Sequence, residues 1–103
     1  MKLLNKQEYN TIENILRKNN EDNPVMVKSM REIKEFFDVS PYKEFLQIFY
    51  LERNNYNNRY PDNRSLLRYL SKKLYVQEPT LYIIRKEIVY KATMIFYKYG
   101  IIV

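Results

Sequence analysis

Arg64, Arg68 and Lys72 recur at intervals of four residues in the C-terminal half of the chain. On an α-helix this spacing places the three side chains on one face. A row of cations along a helix can contact the phosphates of a nucleic acid, which supply affinity without sequence information. The common alternative is a merely solvated face, so the neighbouring elements decide between the two interpretations.

A second helical segment follows this row after a short turn. Residues 76–79, VQEP, have turn composition, and apolar residues recur at helical spacing from Thr80 onward. Two helices joined by so short a turn form a helix-turn-helix, in which the first turns of the second helix reach base edges in the DNA major groove. The candidates for base contact are Gln77, Glu78, Thr80, Tyr82, Ile83 and Lys86. The candidates for phosphate contact are Arg64, Arg68, Lys72, Lys73 and Arg85.

The residue types at the start of the second helix can make specific contacts with bases. Glutamine can read adenine, and glutamate can accept a hydrogen bond from cytosine. The methyl group of Thr80 and the side chain of Ile83 can touch thymine. For Tyr82 and Ile83 an alternative stays open, in which both side chains pack against the N-terminal helices.

The distribution of charge agrees with binding to a polyanion. Residues 1–40 carry 7 Lys/Arg and 7 Asp/Glu, whereas residues 41–103 carry 11 and 5, so the net charge of +6 belongs to the second part. This part contains the cationic row and the turn that follows it. We therefore expect double-stranded DNA as the partner.

The composition argues against an enzyme. The chain has no Cys and no His, which removes thiolate chemistry, the commonest metal ligand and the side chain that titrates near neutral pH. Its single Gly excludes phosphate-cradling loops, which need several. We predict no catalytic residues, no metal site and no cofactor.

Neither a membrane span nor a signal peptide is predicted. No apolar run approaches the ~20 residues that a bilayer requires. The apolar start at residues 1–4, MKLL, is far too short for a signal peptide. The expected location is the cytoplasm.

The four prolines each stand at or just before a predicted helix start. The fold class predicted from these signals and from apolar spacing is all-α, with about five helices and a C-terminal helix-turn-helix. The predicted helices run from about Asn5 to Lys18, from Pro24 to about Phe37, from Pro41 to about Arg53, from Ser65 to Tyr75, and from Pro79 onward. No sheet is expected beyond a few residues at 101–103.

The length of 103 residues allows one compact domain. We divide it into an N-terminal helical portion of about three helices, residues 1–60, and the helix-turn-helix with its long C-terminal helix, residues 61–103. Val76 in the turn is expected to pack beneath the last helix. That helix becomes apolar around its circumference near Met94 and Tyr97, and this surplus apolar surface predicts a homodimer.

Residues 70–82, LSKKLYVQEPTLY, resemble the helix-turn-helix of sigma factor region 4. The pattern is similar also to small phage-encoded, sigma-like regulators of the ArpU and RinA type. The resemblance covers about the last sixty residues and implies a transcription regulator of phage or mobile-element genes that binds upstream of a promoter. The chain departs from the family at Tyr75, where Gly is frequent, and at Gln77 and Glu78, which replace a Ser-led cap.

Two other classes of function stay open at this stage. The chain could be an interaction module that binds host RNA polymerase or a sigma factor without touching DNA. It could also be a packaging protein like the small terminase subunits of phages, which carry a helix-turn-helix as well. A ring-like oligomer would then replace the dimer.

Overall fold

The computed structural model describes residues 3–18 and 22–103, and every regular element in these ranges is helical. The all-α fold with about five helices is therefore confirmed, and residues 101–103 form no strand. The elements are α1 (Lys6–Lys18), α2 (Pro24–Phe36), α3 (Tyr42–Phe45), a π-helix (Leu46–Leu51), a 3₁₀ turn (Arg53–Asn55), α4 (Asn63–Leu74) and α5 (Glu78–Lys98).

Side-chain caps explain where the first, second and fourth helices begin. At α1, the Glu8 amide donates to Asn5 Oδ1 at 2.8 Å, and the Asn5 amide donates to Glu8 Oε1 at 3.0 Å, which is a capping box. At α2, Asn23 Oδ1 accepts from the amide of Val25 at 3.0 Å, with Pro24 as the first helical residue. Asp62 caps α4 in the same way, so α4 begins at Asn63 and not at Ser65 as predicted.

The third helix differs from the prediction of one α-helix from Pro41 to about Arg53. Only Tyr42–Phe45 is α-helical, and Leu46–Leu51 continues as a π-helix, in which the Glu52 amide donates to the Gln47 carbonyl at 2.7 Å. The wider turn gives this stretch an apolar face broad enough to bury Ile48, Phe49 and Tyr50 in succession. The apolar residues of this segment predict burial, but they do not distinguish a π-helix from an α-helix.

Helix α5 is the centre of the fold, because α1, α2, α3 and α4 all pack against it. Its predicted ridge is buried throughout: Leu81, Ile84, Ile88, Ala92 and Ile95. Val89 and Phe96 are buried on a second side. These contacts fix the position of α5 in the core, while the outward-facing side of its first turns is exposed to solvent.

Candidate nucleic-acid interface

Helix α4 separates a buried leucine face from a cationic face. Leu66, Leu67 and Leu70 are at most 1% exposed. The exposed side chains of the opposite side are Arg64, Arg68 and Lys72, which are called the cationic row below. Lys73 is exposed as well, but it lies apart from the row, beside Ser40, Pro41 and Glu44. Packing of the leucines therefore fixes the direction in which the cations point.

Three residues, Tyr75, Val76 and Gln77, connect α4 to α5. Tyr75 has φ 56° and ψ 42°, the left-handed conformation in which a helix commonly ends and which favours Gly. Val76 is half-buried against the core, as predicted for the turn residue. The Val76 carbonyl accepts a hydrogen bond from the Ser71 hydroxyl at 2.5 Å, so the turn is fastened to the last turn of α4.

The start of α5 carries no side-chain cap. Gln77 precedes the helix in an extended conformation, and its side chain accepts no bond from the first turn. Glu78 is the first helical residue and Pro79 the second. Helix N-termini carry partial positive charge, which the Glu78 carboxylate in the first turn offsets.

All six candidates for base contact lie on the surface, and we call them the reading surface: Gln77, Glu78, Thr80, Tyr82, Ile83 and Lys86. Tyr82 is 51% and Ile83 is 58% exposed. Both large side chains therefore point away from the N-terminal helices, on which the alternative interpretation would have packed them. Leu81 before them and Ile84 after them are buried and anchor the helix.

A groove of about 560 Å³ separates the first turns of α4 and α5. Arg64 and Arg68 line one wall, and Glu78, Pro79 and Tyr82 line the other. Arg64 and Arg68 of the cationic row therefore face Glu78 and Tyr82 of the reading surface across one groove. Contact of either set with DNA stays a prediction.

Arg85 lines the same groove, but its side chain is engaged inside the protein. Its Nε and Nη2 atoms donate to the two carboxylate oxygens of Glu13 at 2.7 and 2.9 Å, and the side chain is 17% exposed. Burial opposes the charge of Arg85, yet the hydrogen bonds and charge of Glu13 outweigh it and raise the pKa of Arg85. Because these donors are occupied, we leave Arg85 out of the proposed phosphate contacts.

Glu13 is the centre of a buried cluster with Tyr50 and Arg85, which we call the Glu13 cluster. The Tyr50 hydroxyl donates to Glu13 Oε2 at 2.6 Å, and Glu13 is 2% exposed. Burial alone would raise the pKa of Glu13, but hydrogen bonds from Arg85 and Tyr50 and the charges of Arg85 and Arg17 lower it below its usual range. The cluster ties α1 and the π-helix to the second turn of α5.

Sequence reasoning missed the Glu13 cluster, although one signal pointed to it. Glu13 lies four residues after Tyr9 and three before Leu16, on the stripe that turns toward the core. An acidic residue on such a stripe requires a partner, because a buried charge must be paired. The identity of that partner, 72 positions away in α5, depends on the tertiary fold.

Across residues 3–18 and 22–103, no group of three or more acidic side chains is arranged to hold a metal ion. Within the same ranges, no helix combines the length and apolarity that crossing a bilayer demands.

No protein-family model matches the chain, and neither a curated protein nor a solved structure is significantly similar to it. The resemblance to sigma region 4 therefore rests on the sequence pattern alone and stays a prediction.

Proposed function

We propose that this protein is a sequence-specific, double-stranded DNA-binding transcription regulator that inserts the start of α5 into the major groove. The observation that carries the proposal is that both sets are exposed and that Arg64 and Arg68 face Glu78 and Tyr82 across one groove. The resemblance to regulators of phage and mobile-element genes supports the same function.

The cationic row fits a DNA backbone in length and in charge. From Arg64 to Lys72 the helix rises by about 12 Å. One strand of B-DNA places a phosphate about every 3.4 Å along the axis, so a row parallel to the axis extends over three to four phosphate intervals. None of the three side chains has a carboxylate within ion-pair distance among the described residues. The row therefore remains available to an external anion.

The reading surface fits the major groove because it occupies only the first turns of a long helix. The 21 residues of α5 extend about 31 Å, and the reading surface ends at Lys86 in the third turn. In this orientation Gln77 and Lys86 offer hydrogen bonds to base edges, and Ile83 offers an apolar contact to a thymine methyl group. The rest of α5 lies above the duplex and belongs to the core.

The proposal is tested first by selection of duplexes from a random pool at moderate salt. We expect retention of duplexes and enrichment of one sequence motif. Failure to retain any duplex would overturn the proposal and favour a protein partner. Retention without enrichment would show that the protein binds phosphates without sequence specificity.

The proposed orientation is tested with two sets of variants. Replacing Arg68 and Lys72 with Ala should weaken binding to every sequence and lower the slope of log affinity against log salt by about two. Lys86→Ala should change the preferred sequence. The matched control replaces Lys28 and Lys34, exposed cations of α2, with Ala and should leave the slope unchanged. Equal losses from both double variants would show a general charge effect and contradict the orientation.

A further inference from the structure

A second groove, which we call the apolar groove, lies between α1 and the C-terminal half of α5. It has a volume of about 800 Å³ and is lined chiefly by apolar groups, including those of Leu4, Ile12, Met94, Tyr97 and Ile102. Three large apolar side chains lie open here or next to it: Leu3 is 74%, Met94 50% and Tyr97 62% exposed. The reading surface lies at the other end of α5, so this groove has no part in the proposed DNA contacts.

The charged groups at the apolar groove already have partners within the chain. Lys98 Nζ lies 2.9 Å from Glu32 Oε1, and Glu8 forms the capping box with Asn5. The partner that fits this groove is therefore apolar at its centre, because apolar groups form most of the lining and Lys98 is already paired. The same apolar surface on a second copy of this chain fits that description.

We propose that a second copy of this chain covers the apolar groove, with a two-fold axis beside Met94 and Tyr97. In such a dimer each molecule offers the same projecting side chains and the same groove, as an isologous interface requires. The exposed apolar side chains here present on the order of 400 Å², at about 150–250 Å² for a large side chain. A stable interface buries about 800 Å² on each partner, more than half of it apolar. The exposed apolar side chains at the apolar groove thus supply most of the apolar area that such an interface requires.

The length of α5 agrees with this position of the axis. This step rests on the proposed function, because it compares the dimer with DNA. If the two α5 helices run antiparallel, an axis at Met94 places the two Ile83 residues about 33 Å apart, and an axis at Tyr97 about 42 Å apart. Successive half-sites on one face of DNA lie about 34–36 Å apart. The spacing of the two reading surfaces in the inferred dimer therefore matches the distance between consecutive turns of the major groove.

The interface is tested by the mass of the protein in solution at micromolar concentration. We expect twice the 12.7 kDa of one chain for the parent, and the mass of one chain for a variant with Met94→Glu and Tyr97→Glu. Val39→Glu, at a position 64% exposed elsewhere on the surface, is the control and should stay dimeric. A monomeric parent, a larger ring, or equal masses for both variants would overturn the proposal. Circular dichroism verifies that each variant is folded.

Binding to two DNA duplexes separates this inference from the function on which it rests. The Met94/Tyr97 variant should bind a single half-site like the parent but lose about a hundredfold in affinity for two half-sites one turn apart. Equal affinity of parent and variant for the paired site would overturn the proposed dimer geometry. If the parent binds no duplex yet the masses behave as expected, the DNA-binding function fails while the interface stands.

Discussion

The Glu13 cluster and the cationic row both contain arginine, but the protein holds the two groups in opposite ways. Arg85 is 17% exposed and bonded twice to Glu13, whereas Arg68 is exposed and has no ion-pair partner among the described residues. The two arginines line the same groove. The sequence predicted phosphate contact for both arginines, and only their burial and their partners in the structure distinguish them.

This difference shows how burial decides what a charged side chain does. A charge removed from water costs several kcal/mol unless a well-placed partner compensates it, so Arg85 and Glu13 depend on one another in the folded protein. An exposed cation has no such cost and contributes little to stability. We therefore expect changes in the Glu13 cluster to alter folding, and changes in the cationic row to alter binding.

The largest expected effect follows from Glu13→Gln. This change leaves Arg85 buried without its counter-charge and should lower the free energy of unfolding by about 3 kcal/mol. Urea denaturation at neutral pH measures it. The matched control is Glu32→Gln at the exposed ion pair with Lys98, which should change stability far less. Equal effects of the two changes would contradict the contrast between buried and exposed charge.

Tyr75→Gly should raise the free energy of unfolding, in contrast to Glu13→Gln. Tyr75 is 94% exposed and holds a left-handed φ of 56°, which costs a residue with a side chain about 1–2 kcal/mol. Glycine adopts this conformation freely, so the variant should gain about 1 kcal/mol in unfolding free energy after its extra chain entropy is included. Tyr82→Gly, an exposed position inside α5, is the control and should lose about 0.5 kcal/mol. A loss at both positions would show that Tyr75 is not strained.

Acid should remove part of the difference between the parent protein and Glu13→Gln. The pKa of Glu13 is lowered in the folded state, so its contribution is fully present above the usual value of about 4.5 and is lost as the pH falls through the lowered pKa. Thermal unfolding of both proteins from pH 7 to pH 2.5 should show the two midpoints converging below about pH 4.5. A gap that stays constant would mean that the charge of Glu13 is not what stabilises the cluster.

The smallest effect on stability is expected for Arg64→Ala in the cationic row. The side chain is exposed, so the unfolding free energy should stay within about 0.5 kcal/mol of the parent value. The slope of log affinity against log salt for duplex DNA should nevertheless fall by about one. A loss of stability comparable with that of Glu13→Gln would show that the row has a structural role.

The sequence was sufficient for the parts of the fold that local rules determine. Asn23 with Pro24 is a cap signal that acts within a few residues, and the structure begins α2 there. Asp62 after Pro61 is a signal of the same kind, and α4 begins directly after it, two residues before the predicted start at Ser65. The ridge of α5 from Leu81 to Ile95 follows from helical spacing alone, and all of it is buried. The same spacing indicated which side of α4 would be exposed.

The features that the sequence did not reveal depend on contacts between distant segments or on unusual backbone. The bond between Glu13 and Arg85 forms only after α1 packs on α5. The π-helix at Leu46–Leu51 and the left-handed Tyr75 depart from the preferences that pattern reasoning uses. One feature of the sequence did point to the unusual backbone at Tyr75, because this residue stands where the resembling family often has Gly.

The connection between α4 and α5 has one further consequence. The connection has three residues, and one of them is hydrogen-bonded to Ser71, which limits how far the two helices can change their mutual angle. If α5 binds DNA as proposed, the protein meets the duplex already shaped, and little of its conformational entropy is lost on binding. Recognition would then depend on how readily the groove of the duplex deforms to fit this surface.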